Sequence, residues 1–167
     1  ALALLRAYRA PRAAALALTL ALAAGCGAPG PRAVAYGQEA CATCRMTVDD
    51  RRFASEVVAG AGKLHVFDSI ECAAAFAVAR GAAAGAVWVG DWNRPGTLVR
   101  ADSADFRRLP GAAGSPMGKG LVATRVGDTP RAPGADDAPV LAWADVAARL
   151  RAEGLHVAAH AEGPRAR

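Results

Sequence analysis

The chain has 167 residues, 53% of them hydrophobic, which suffices for one ordinary domain or two very small ones and excludes a disordered tail. Aromatic residues make up only 5%, so alanine inflates the apolar share and the expected core is thin. The formal net charge of +5 rests partly on Arg6, Arg9 and Arg12. Beyond residue 25 the balance is 17 basic against 15 acidic side chains, interleaved rather than clustered, which argues for no nucleic acid as partner.

The three leading arginines precede an uncharged apolar run from Ala13 to Ala24, the layout of an export signal. That run is shorter than the roughly 20 residues a spanning helix needs. It ends in Leu22, Ala23, Ala24, Gly25 and Cys26, which resembles a bacterial lipobox with Ala23 where Leu is usual. Residues 1–25 are therefore read as a signal peptide and Cys26 as a lipidation site, with an ordinary cleaved signal as the alternative. Residues 26–36, with Gly and Pro over 27–31, read as a lipidated tether.

Phe53 to Val58 and Leu64 to Phe67 are short runs rich in Val and aromatics, joined by Gly60, Ala61 and Gly62, which predicts a β-hairpin. Asp68, Ser69, Ile70 and Glu71 have capping-box spacing, with Asp68 as the cap and Glu71 reaching back. The helix they open carries Ile70, Ala73, Ala74, Phe76 and Ala77 and stops at Gly81. Ala86 to Val89 and Thr97 to Arg100 read as a second hairpin-like pair around a turn at Asn93 to Gly96, and a short helix is expected at Asp102. A Gly-Pro loop, Ser115 to Gly120, leads into a strand at Leu121 to Ala123. A connection over Thr129 to Pro139 and a helix over Ala142 to Leu150, stopped by Gly154, complete the body. The β-β-α order occurring twice predicts an α+β fold of two small similar β-β-α-β lobes, 37–85 and 86–160, followed by a tail at 161–167.

Cys41-Ala-Thr-Cys44-Arg-Met46 is the strongest local signal, because two thiols and a thioether so spaced can converge on one soft ion. With Cys26 lipidated, Cys41, Cys44 and Cys72 remain, an odd number that cannot pair off completely as disulfides. Met46 and Met117 both stand beside loop residues rather than in apolar periodic runs, which suits ligands better than core methionines. Thiolate and thioether donors select Cu(I). Two other readings stay open: a Cys41–Cys44 redox pair, and a zinc-stapled module using Cys41, Cys44, His65 and Cys72. His65 alternates with Leu64 and Val66 and is a possible additional ligand, whereas Cys72 reads as a small core residue. His156 and His160 are assigned no site, and no nucleophile with an evident base marks an enzyme.

The ordered set Cys41-x-x-Cys44-x-Met46, Arg52-Phe53-Ala54, Val66-Phe67-Asp68-Ser69-Ile70-Glu71-Cys72 and Ser115-Pro116-Met117-Gly118-Lys119-Gly120 resembles the NosL family of nitrous oxide reductase accessory lipoproteins. The resemblance runs from Cys26 to the terminal helix around Trp143. It implies a periplasmic Cu(I) metallochaperone, held by lipid at the inner or outer membrane. Such a protein would deliver copper to an ABC-type transporter assembly complex that builds the copper centre of nitrous oxide reductase, in denitrification or outside it. It further implies two β-β-α-β lobes, as also seen in an organomercury lyase, and copper ligands at Cys44, Met46 and Met117, with Cys41 beside them.

Overall fold

The computed structural model describes residues 30–153. The expected signal peptide, Cys26, the start of the tether, Gly154, His156, His160 and the tail lie outside the described residues.

Extended, β-branched segments build the first layer. Strand β1 (Ser55–Val58) pairs antiparallel with β2 (Leu64–Phe67) through a 3-10 turn at Gly60–Gly62, as the glycine spacing predicts. Helix α1 (Ile70–Arg80) follows. Its N-cap is Ser69, not Asp68: Ser69 Oγ accepts from the Cys72 backbone N–H at 3.1 Å. Asp68 is thereby left for another partner. Gly81 ends the helix at φ 55°, a left-handed conformation that costs glycine little.

Strand β3 (Ala86–Gly90) then returns beside β1, antiparallel, and β4 (Leu98–Arg100) adds to its other edge. The sheet order is β2-β1-β3-β4. The expected division at residues 85 and 86 falls between β1 and β3, which are hydrogen-bonded to each other, and residues 31–153 lie within one compact unit. Periodicity locates a strand but does not say which neighbour it pairs with, so β3 was separable in sequence and inseparable in space.

The segment expected to be helical at Asp102 is a single 3-10 turn, Ala101–Ser103, leading into β5 (Ala104–Arg108). Strand β5 pairs antiparallel with β6 (Leu121–Arg125), setting Phe106 opposite Ala123. Helix α2 (Trp143–Ala152) closes the described residues, and Trp143 packs on Phe106 with ring centroids 5.6 Å apart. Ala142 offers no capping oxygen, so only Asp145 serves the start of α2, accepting from the Ala142 N–H at 3.0 Å. A hairpin followed by a helix thus recurs as β5-β6-α2, in an α+β architecture of two antiparallel sheets and two α-helices among the described residues. The sheets join where the Trp92 N–H donates to the Ala123 carbonyl at 2.8 Å.

One main core contains Val57, Phe67, Ile70, Val89, Phe106 and Leu150, with a smaller cluster around Phe53, Leu109 and Val122. Phe76 of α1 lies against Phe67 and His65, with ring centroids at 5.1 and 4.6 Å. Residues 31–36, read as tether, are fixed to this body: the Arg32 N–H donates to Glu56 Oε2 at 3.0 Å, and its guanidinium pairs with Glu39. Among the described residues no helix is long and apolar enough to cross a membrane.

Candidate metal centre

The Cys-x-x-Cys segment forms a closed loop ahead of the sheet. Ala40 and Thr47 bridge across its base, the Cys41 N–H donates to the Met46 carbonyl at 2.8 Å, and the Arg45 N–H returns to the Cys41 carbonyl at 3.1 Å. Arg45 turns the chain at φ 69°, and among the described residues no other non-glycine residue has positive φ. Two hydrogen bonds dock the loop. The Ala42 N–H donates to the Val66 carbonyl on β2 at 2.8 Å, and Thr43 Oγ1 donates to the Cys72 carbonyl in α1 at 3.1 Å.

This docking lays Cys41 and Cys44 against the junction between β2 and α1, which carries Asp68 and Cys72. The Sγ atoms of Cys41, Cys44 and Cys72 and a carboxylate oxygen of Asp68 all lie within 4.8 Å of one another. Metal–sulfur bonds of about 2.3 Å place donors around one ion about 4 Å apart, so small side-chain movements close this set. All three thiols are free. Asp68 Oδ2 accepts from the Cys44 thiol at 3.1 Å, while Oδ1 is buried with no hydrogen-bond partner among the described residues. A buried carboxylate oxygen without a donor is what a cation would satisfy.

The three sulfurs are electrostatically unequal. The Cys72 thiol points its proton at Cys41, and backbone N–H groups of Cys44, Asp68 and Thr43 gather around the same sulfur, which together outweigh burial and lower the Cys41 pKa to about 6. Burial, the Asp68 carboxylate and Cys41 raise Cys44 to about 12. Cys72 is raised as well, first by its bond to Cys41 and then by burial. One ready thiolate thus sits with two protonated neighbours. Cys41 and Cys72 are fully buried, whereas Cys44 reaches solvent and forms the open side.

The other residues singled out from sequence take different places. Met46 is 48% exposed, two residues after Cys44 in sequence. Met117 lies half-buried in a turn closed by the Gly118 N–H on the Ser115 carbonyl at 2.9 Å, and packs against the main core, which includes Cys41 and Cys72. His65 is not in the four-donor group; its ring packs on Phe76, and Asp68 stands where the zinc set expected a histidine. Cys72 is as buried as a core cysteine should be and is also a donor. Asp68 escaped as a donor because its spacing assigned it to the helix cap, while Cys72 entered only through the zinc set and otherwise read as a core residue. The signal that could have found them is Asp-x-x-x-Cys at a strand-to-helix junction, with Ser69 free to cap.

An α+β domain with a preformed, partly open thiol and carboxylate cluster able to hold a metal ion is what this geometry defines. No family model, curated protein or solved structure matches the chain.

Proposed function

We propose that this protein is a Cu(I) carrier, lipid-anchored through Cys26 on the periplasmic side of a bacterial membrane. It would pass copper to an assembly complex of the ABC-transporter type for the copper centre of nitrous oxide reductase. The observation that carries the metal reading is the gathering of three free thiols within 4.8 Å, with Cys44 on the open side. The cargo and client follow from the resemblance to the NosL family and from the preference of sulfur donors for Cu(I).

Physical features favour carriage over a permanent staple. Main-chain bonds from Ala42 to Val66 and the Thr43 bond to Cys72 hold the loop without an ion, so the site does not need metal to exist. Cys41 supplies a thiolate at neutral pH. Cu(I) is satisfied by two or three sulfurs, and Met46, exposed and two residues from Cys44 in sequence, suits a first or last contact during ligand exchange. Loading displaces the Cys44 proton, for which the Asp68 carboxylate is the adjacent acceptor.

Titration of the reduced chain with Cu(I) and Zn(II) tests this. One Cu(I) per chain is expected, held in preference to Zn(II) and weakened by Cys44→Ala, Met46→Ala or Met117→Ala. Unchanged Cu(I) affinity in both methionine variants, or a stronger hold on Zn(II), would count against a copper carrier. A second reading, a zinc staple, draws on Asp68 as a fourth donor; it requires that chelation unfold the domain.

A further inference from the structure

Glu71 is fully buried in the first turn of α1, next to Cys72, and its carboxylate touches the helix start, through Ser69 and its own N–H, and also the segment beyond it. Its Oε1 accepts from Ser115 Oγ at 3.2 Å and from the Leu121 N–H at 3.4 Å. Those two residues flank the loop that holds Met117. Within it the Gly118 and Gly120 backbones are left-handed, at φ 69° and 67°, and Lys119 reaches Glu153 at 3.5 Å. One carboxylate oxygen therefore grips both ends of a glycine-rich loop that carries the internal turn bond from Gly118 to Ser115.

We infer that Glu71 is a positioning residue that clamps the Met117 loop against the first turn of α1, so that the thioether is presented on the same side of the fold as Cys72. The inference rests on the carrier reading for its metal consequence and on geometry alone for the clamp. Burying a carboxylate is costly, and an acidic first turn helps a helix without needing to be buried. The loop contacts are what its burial adds. Outer partners that orient a ligand change metal affinity by about 10- to 100-fold when removed.

The full-length chain tests this in two independent ways. In the metal-free protein, tryptic cleavage after Lys119 reports loop release. Glu71→Leu, which keeps the volume and removes both acceptors, is expected to speed that cleavage about tenfold, while Glu71→Gln, which keeps an acceptor oxygen, restores the wild-type rate. Ser115→Ala, which leaves the helix untouched, is expected to give a smaller rise. For metal, competition against a Cu(I) chelator is expected to show about tenfold weaker binding in Glu71→Leu and no further loss when the same change is made in Met117→Ala. Unchanged cleavage in both Glu71→Leu and Ser115→Ala overturns the clamp. Equal affinity losses with and without Met117 show that Glu71 acts through Cys72 or the fold, and overturn the positioning role. If the wild-type chain takes up no Cu(I), the carrier reading fails while the cleavage comparison still decides the clamp.

Discussion

The thiol of Cys44 donates to Asp68 Oδ2 at 3.1 Å across a gap of 24 residues in sequence, joining the partly buried member of the cysteine pair to the end of β2. This contact separates two kinds of metal chemistry, because a carboxylate oxygen suits Zn(II) and adds little to Cu(I) held by sulfur.

Asp68→Asn preserves the shape and removes the charge. Zn(II) affinity is expected to fall at least tenfold and Cu(I) affinity to stay within a few-fold, measured by parallel chelator competitions. A fall in Cu(I) affinity with Zn(II) affinity unchanged would overturn this division and make Asp68 a partner of the copper ion.

The unequal thiols are expected to give the reduced, metal-free protein a stability maximum in mildly basic solution. Cys41 titrates near 6 in the fold and near 9 when unfolded, so between those values the unfolded chain holds the extra proton and stability rises with pH. Cys44 is held near 12 against the same reference of 9, so above 9 the fold holds the extra proton and stability falls. Urea unfolding over this range checks both slopes. Cys41→Ser is expected to flatten the lower one.

Thr43→Val replaces the hydroxyl that ties the loop to α1 by a methyl group of similar size. The Cys72 carbonyl loses its 3.1 Å donor, at a cost of about 1 kcal/mol in chemical denaturation. The cysteine loop should also exchange its amide hydrogens faster than β1, which the substitution does not touch.

Two backbone changes should act with opposite sign. Arg45→Gly relieves a left-handed backbone at φ 69° and is expected to stabilise the fold by up to about 1 kcal/mol. Gly85→Ala would set a methyl group 2.1 Å from the Val58 carbonyl oxygen, at φ 80°, and should cost about 3 kcal/mol or prevent folding. Thermal melts of the two variants measure both.

The β1-β2 hairpin, α1, β6 and α2 were legible because each carries its own period, turn or stop residue within a short window. Strand β5 was not, since Asp105, Arg107 and Arg108 disfavour a strand locally and are tolerated because they lie on its less buried positions while Phe106 fills the core. At the site, Cys41 and Cys44 declared themselves by spacing. Asp68 did not, and Cys72 did so only as one member of the zinc alternative, because what gathers them with the pair is the docking of a loop some 24 residues upstream of Asp68; their own Asp-x-x-x-Cys spacing marks a junction without naming that partner. Ser69, by taking the helix cap, frees Asp68 for the cluster.

The hydrogen bond from Ala42 to Val66 has a temporal consequence as the chain emerges and folds. The early cysteines have no oxygen partner and no third sulfur until β2 is laid down and the following helix has begun. An ion met before then finds only a loose dithiol, whereas the finished hairpin offers the whole pocket at once. The four-donor cluster is therefore completed only by folding, and a half-made chain offers a metal ion little.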